Sequence, residues 1–261
     1  VAGALPLKAG DGLHTNGMML AGSGFIIERE KAQEFGLDEI VEVSEVIKEY
    51  RNGRDLTQTP RGVFLIDLHG LLEIEVKQTY PKIYQHVFDT VKPERDQNRR
   101  TRLKEKWWLF GEPRKTFRKA VAGVKRYIAT PETAKHRFFV FLDSSIVPDH
   151  GNIVIAISDA FFYGVLNSKT HVVWALAQGG VLGPTPRYNK SRCFETFPFP
   201  AAINEQKLKI RDLGEQLDAH RKRQQEQHPD MTMTGMYNVM EAVRSGTVLT
   251  AKEKKIYQGR A

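Results

Sequence analysis

RYIATPETAKHRFFVFLD, Arg126 to Asp143, sets two short apolar runs on either side of a turn-like segment. Arg126–Ala129 and Phe138–Leu142 are rich in β-branched and aromatic side chains. Such side chains suit a pleated, half-buried surface, so both runs are predicted strands. Ile153–Ile157 has the same character, and the three together predict a sheet. Upstream, Val63–Leu68 is nearly all apolar and reads as a buried strand. Phe25–Ile27 is the best strand candidate in a Gly-rich opening stretch.

Helical periodicity surrounds these strands. Glu28–Phe35 is predicted helical and closed by Gly36, and a second helix is expected over Asp38–Ile47. Glu73–Thr90 brings Ile74, Tyr80, Tyr84 and Val87 or Phe88 to one face. Asp159–Leu166 and Ser168–Ala177 are expected helices, the latter ending at Gly179-Gly180. Tyr50–Arg61 reads as turn-rich, with Asn52-Gly53 a tight turn and Pro60 a block to helix. Val181–Pro200 reads as irregular. After it, Ile203, Ile210, Leu213 and Leu217 form one stripe of a helix ending near His228-Pro229. Thr250–Glu253 fits a capping box opening a last short helix. The fold class is therefore α+β: a mixed sheet with flanking helices, then a helical C-terminal region.

The charge is unevenly placed. Lys92 to Arg137 carries 15 Lys or Arg against 5 Asp or Glu, while the rest of the chain carries 24 against 26. Trp107, Trp108, Phe117 and Tyr127 lie within this basic block. Cations with interleaved aromatics are the footprint of a nucleic-acid surface, since phosphates demand Lys and Arg and rings support them or stack on bases. The bland alternative is a solvated helix face. Cys193 is the single cysteine, which excludes an internal disulfide and a multi-cysteine zinc site. No apolar run approaches the roughly 18 residues needed to span a bilayer, so no membrane partner is expected. Val1–Leu7 is apolar but has no basic lead-in, and no signal peptide is read there. With no initiator Met, the chain reads as a piece of a longer, cytoplasmic protein.

Most candidate chemistry fails on spacing. Asp67 followed by Glu75-Val76-Lys77 mimics the Asp, Glu-x-Lys pattern of metal nucleases. That triplet belongs on a strand; here it falls in a helix-like stretch, where Glu75 and Lys77 diverge. Gly22-Ser23-Gly24 lacks a nucleotide-loop context and reads as a turn. His69, His86, His136, His150 and His171 lack partners at zinc spacing. Cys193 has no His–Asn or His–Asp arrangement to make it a nucleophile. Neither an S-adenosylmethionine glycine loop nor an Asn-Pro-Pro-Tyr that holds a flipped adenine is present. What remains is recognition chemistry. Lys125-Arg126-Tyr127 and Lys135-His136-Arg137 flank one turn, and Arg187-Tyr188-Asn189-Lys190-Ser191-Arg192 offers the side chains used on base edges and phosphates. Against that, Arg187 and Asn189 could simply cap a turn after Pro184 and Pro186.

GVFLIDLHGLLEIEV, VKPERDQNRRTRLKEKWWLFGEPR, RYIATPETAKHRFFVFLD and PRYNKSRCFETFPFP together resemble the MmeI-like (Type IIG/IIL) restriction–modification enzymes. The tail from Lys207 to Tyr257 continues the resemblance, which covers the chain from about Gly22 onward. It implies a parent with a metal-dependent nuclease and an S-adenosylmethionine-dependent adenine methyltransferase, using Mg2+. A target recognition domain and a helical region would follow, and this chain resembles the last two. The implied layout is a linker over 1–21 from the methyltransferase domain, a recognition domain over 22–200 and a helical region over 201–261. The implied partners are double-stranded DNA and the parent's methyltransferase domain. The fragment itself is expected to be non-catalytic and to hold no cofactor or metal.

By the same resemblance, a variable stretch ahead of the Arg-Tyr pair reads bases. Matched here, it is Gly183 to Asn189, with Thr185 and Arg187 foremost and Asn189 beside them. An earlier reading loop falls at His150 to Asn152. Pro184-Thr185-Pro186 departs from the pattern, because two prolines leave few polar side chains to read with. Arg99, Arg100, Arg102, Lys104, Lys125, Arg126, Lys135, Arg137, Lys190 and Arg192 are the expected backbone contacts. Two rivals remain: a module whose basic surface docks an acidic partner or the parent's own domains, with the apolar helix faces and Trp107-Trp108 as interface, and a single-strand or RNA binder using aromatics near cations.

Overall fold

Tyr127, Ile128 and Ala129 are fully buried, and the strand that carries them is central to the first sheet. The computed structural model describes residues 13–258. In chain order its strands are β1 (His14–Asn16), β2 (Ile26–Ile27), β3 (Ile47–Arg51), β4 (Phe64–Ile66), β5 (Arg126–Pro131), β6 (Val140–Asp143), β7 (Val147–Pro148), β8 (Asn152–Ile155), β9 (Val181–Leu182) and β10 (Thr185–Pro186). The first sheet runs β1-β8-β5-β6 and is antiparallel throughout. The second runs β2-β4-β3-β7, with β3 and β7 parallel. β9 and β10 make a separate two-stranded ribbon. One antiparallel and one mixed sheet, flanked by helices and followed by long C-terminal helices, make this the expected α+β fold. Of the expected linker, Val1–Gly12 lies outside the described residues. His14–Asn16 does not behave as linker: it is hydrogen-bonded as the edge strand beside β8.

Several local expectations give way to tertiary pairing. The second helix covers only Val41–Val46, because Ile47 already pairs with Ile66 as β3 begins. Asn52-Gly53 is not a tight turn but the start of the Gly53–Thr57 helix. The Asn52 side chain accepts from the Asp55 amide, and the Asp55 carboxylate accepts from the Asn52 amide. Glu73–Thr90 divides into helices Glu73–Thr79 and Pro81–Thr90, since Pro81 has no N–H and cannot continue the first. The Asn204–Gln227 helix forms as expected, but its stripe is displaced: Ile203 and Leu213 are exposed, while Gly214, Asp218 and Arg221 are buried. A Cβ on Gly214 would lie 2.5 Å from the Ala160 carbonyl oxygen, so glycine permits the close crossing with the Ala160–Leu166 helix. The Met233–Ser245 helix was not foreseen. Thr232 caps it, and Met233 and Met236 join the main core.

That core joins the second sheet to the Pro81–Thr90 helix and to Trp107, Trp108, Phe110 and Phe117. A second cluster packs Phe139, Phe141 and Ile155 against Tyr163, Tyr188 and Phe194. Arg221 fastens the C-terminal helices to this cluster. Its Nη1 donates to the Phe139 carbonyl (2.9 Å) and the Tyr163 hydroxyl (2.9 Å), and its Nη2 donates to the Tyr237 hydroxyl.

Candidate nucleic-acid interface

The turn after β5 gathers the two loops expected to read bases. Glu132 donates its N–H to the Gly151 carbonyl (2.8 Å) and accepts from the Tyr188 N–H at its own carbonyl (2.6 Å). Next to it, the Ala134 N–H donates to the Pro186 carbonyl (3.2 Å). One residue's backbone therefore ties the His150–Asn152 loop to the Gly183–Asn189 loop, and its carboxylate binds Arg187. Arg187 Nε and Nη2 both donate to Glu132 Oε1, at 2.8 and 2.6 Å. Gly179 allows the approach from behind, since a Cβ there would lie 2.2 Å from the Arg187 carbonyl oxygen. The segment ahead of β2 closes the same face: Met18 accepts from the His150 N–H, and the Asn16 side chain donates to the His150 carbonyl.

The base-contact candidates divide sharply. Arg187 is exposed, Thr185 is half-buried on β10, and His150 is exposed with Nδ1 2.9 Å from Asp149. Asn189 caps the short Lys190–Cys193 helix, accepting from the Ser191 amide (3.1 Å) and hydroxyl (2.7 Å). This is the turn-capping role weighed against base reading. Asn152 is a correction. It is fully buried at the start of β8 and donates to the Arg51 carbonyl (3.0 Å), so its side chain faces protein rather than solvent.

The cations divide too. Arg99, Arg100, Arg102 and Lys104 are exposed around the Thr101–Glu105 helix, as are Lys125, Lys135 and Arg192. Lys190 is half-buried. Burial lowers its pKa first and the Arg114 charge adds to this, while Glu195 and Glu132 oppose. Arg126 lies over the Phe141 ring (3.8 Å) and is paired with Glu215, whose hydrogen bond raises the guanidinium pKa. Arg137 is the second correction. It is buried, donates to Thr130 Oγ1 (2.8 Å) and the Pro131 carbonyl, and lies over the Tyr188 ring, so it cannot meet a phosphate. Burial lowers its pKa to about 10.

The aromatics of the basic block are a bed, not a platform. Trp107, Trp108, Phe117 and Tyr127 are all buried. Trp108 Nε1 donates to the Leu71 carbonyl, and the Tyr127 hydroxyl donates to that of Ile146. None is free to stack on an unpaired base or to cover a partner, so these four rings support neither rival reading. Asp67 is bound by Arg118 (2.7 Å), and Glu75 with Lys77 lies on a helix, so these three residues do not assemble a nuclease centre. Cys193 is buried with a raised pKa, as suits an inert thiol.

Glu132 was missed from sequence, although it is the single acidic residue between the two basic triplets. Arg114 was missed as well. It reaches Glu112 (3.0 Å) and lies close enough to Lys190 to shift it.

The family described as MmeI, target recognition domain, matches residues 6–201. A solved structure of the Type IIL restriction-modification enzyme MmeI in complex with DNA is similar over 94% of this chain, at 16% identity and a TM-score of 0.68. The chain spans 31% of that protein's length. Comparison with curated proteins finds no match.

Proposed function

This chain belongs to the MmeI target recognition domain family, and from that premise we propose that it reads a short asymmetric site in double-stranded DNA for a restriction–modification enzyme. The observation that carries the reading is the pair of loops stitched through Glu132, which holds exposed Arg187, two residues after Thr185, in a loop tied to the one that carries His150. A hydrogen-bonded backbone lattice holding a few exposed polar side chains is what base readout needs, because positioning must be rigid before a hydrogen-bond code can be scored. Thr185, Arg187 and His150 take the base-contact role, with Asn189 setting the turn beneath them. Arg99, Arg100, Arg102, Lys104, Lys125, Lys135, Lys190 and Arg192 take the phosphate role, which fixes register without reading sequence. The recognition unit is taken as residues 22–200 completed by β1, and the helices from Ala201 onward brace it.

The parent enzyme would be cytoplasmic and would methylate adenine, and perform any cleavage, in domains other than this one. S-adenosylmethionine and Mg2+ belong to that chemistry. Asp67 and Asp55 are each held by an arginine, and among the described residues no cluster of His, Cys, Asp or Glu is suited to hold a metal. Among the described residues no helix is long and apolar enough to cross a membrane.

The test is duplex binding across a salt series with a randomised-site pool. If about six phosphates are neutralised, log K falls with log salt at a slope of about −5. Enrichment of a short motif supports base reading by this chain. A slope near zero overturns the proposal.

A further inference from the structure

The β9–β10 ribbon presents apolar side chains immediately ahead of the expected Gly183–Asn189 reading stretch. Val181 and Leu182 are 70% and 60% exposed. They stand on a short antiparallel ribbon turned by Gly183-Pro184, with Gly180 and Gly183 at positive φ (98° and 59°). Pro184 and Pro186 stiffen the return strand. The base of the ribbon is pinned, since Arg187 donates to the Gly180 carbonyl (3.0 Å) and Ala134 donates to that of Pro186. A rigid apolar tip in water is unfavourable, and cations lie near it: Lys190 beyond its root and Lys135 beside its anchor, with Arg187 at the root paired to Glu132.

The register decides which side chain matters. Leu182 is opposite Thr185, and Val181 is opposite Pro186. Directly paired residues share a face of the ribbon, and residues two apart on one strand return to it. Leu182 and Thr185 therefore share a face, which Arg187 continues. A two-stranded ribbon fits the major groove of B-DNA, where the one apolar feature of the base edges is the thymine 5-methyl group.

Building on the DNA-reading proposal above, we propose that the ribbon enters the major groove and that Leu182 is a specificity-determining residue, recognising a thymine by packing against its 5-methyl group. The cationic surroundings argue for a polyanion as the occupant, and the shared face with Thr185 and Arg187 argues for base edges rather than backbone.

The duplex selected by the chain from a randomised pool is resynthesised with deoxyuridine replacing each thymidine in turn, which deletes one methyl group and nothing else. One replacement should weaken binding by about fourfold, the worth of a buried methyl-sized group. Leu182→Ala should bind the thymidine and deoxyuridine duplexes equally, with the salt slope unchanged; Val181→Ala should still discriminate. Leu182 is exposed, so its truncation leaves the core untouched. Salt-dependent binding with every thymidine replaceable, or discrimination that survives Leu182→Ala, overturns the inference and leaves the DNA reading standing. Absence of duplex binding overturns both.

Discussion

Glu132 Oε1 accepts two hydrogen bonds from Arg187, from Nε at 2.8 Å and Nη2 at 2.6 Å. They occupy one edge of the guanidinium, and the edge formed by Nη1 and Nη2 is the one a guanine can take as a bidentate partner. The carboxylate also repels phosphates, so Arg187 is restrained from acting as a general cation. Arg187→Ala should therefore relax preference at one base pair by about 1–3 kcal/mol. Glu132→Gln keeps the shape but removes the counter-charge. It should tighten binding to all duplexes and steepen the salt slope by about one. Affinities for single-base-pair variants at two or more salt concentrations check both, and an unchanged slope in Glu132→Gln would place Arg187 away from the DNA.

Lys104 and Arg137 separate clamp from scaffold. Lys104 is exposed, and Lys104→Ala should weaken all sequences alike while flattening the salt slope by about one. Arg137 is buried among the acceptors of β5 and its turn. Arg137→Ala should cost about 2 kcal/mol of folding stability by stranding those acceptors. The folded fraction should keep the wild-type salt slope. Denaturant titration and binding on the same preparations distinguish the two; a flattened slope in Arg137→Ala would return that side chain to the DNA surface.

His171 supplies a pH dependence. It is buried, its Nδ1 is 2.8 Å from the Leu166 carbonyl and its Nε2 is 3.3 Å from the Tyr188 hydroxyl. Burial lowers its pKa from 6.5 to about 4, and the Arg137 charge acts in the same direction. Above 6.5 neither folded nor unfolded chain protonates it, and its contribution is complete. As pH falls toward 4, the unfolded chain takes up a proton that the folded chain refuses, and stability falls by about 3 kcal/mol. His171→Asn should remove that part of the slope, so its stability difference from the wild type should narrow by that amount between neutral pH and pH 4. Parallel stability curves for the two proteins would rule the mechanism out.

Elements whose cause is local were legible in the sequence. β5, β6 and β8 follow from runs of β-branched and aromatic residues, and the caps Asp159, Ser168 and Thr250 stand where their helices begin. β3 is not legible, with Ile47 in the expected helix and Tyr50-Arg51 in the turn-rich stretch, because its strand character comes from β4 and β7, and Val147 is distant in sequence from its partner Tyr50. The Met233–Ser245 helix depends on a core built mostly from the other end of the chain. The site followed the same rule. Its exposed cations are visible from composition, whereas Asn152 and Arg221 are hidden because a polar residue reads as surface until distant backbone carbonyls are seen to bury it, and Arg137 because the turn after β5 folds back over it.

Gly179 offers a way to move the reading loop without touching a base-contact residue. It ends the Lys169–Gly179 helix, and a Cβ there would lie 2.2 Å from the Arg187 carbonyl oxygen and 3.2 Å from Cys193 Sγ. The first obstacle is backbone, which cannot rotate aside as a side chain can. Gly179→Ala must therefore displace the segment carrying Arg187, or strain the helix end at a cost of about 1–3 kcal/mol. Displacement should pull the Arg187 carbonyl away from Gly179 and loosen the Tyr188 bond to Glu132, which ties this loop to the turn. Because readout tolerates little misplacement, discrimination between the selected site and a scrambled duplex should fall at least as far as in Arg187→Ala. Affinity for the scrambled duplex and its salt slope should stay near wild type, since the exposed lysines and arginines of the clamp are untouched. Competition binding of the two duplexes reads the difference directly. Full discrimination in a folded Gly179→Ala protein would mean that the Arg187 segment does not set the specificity.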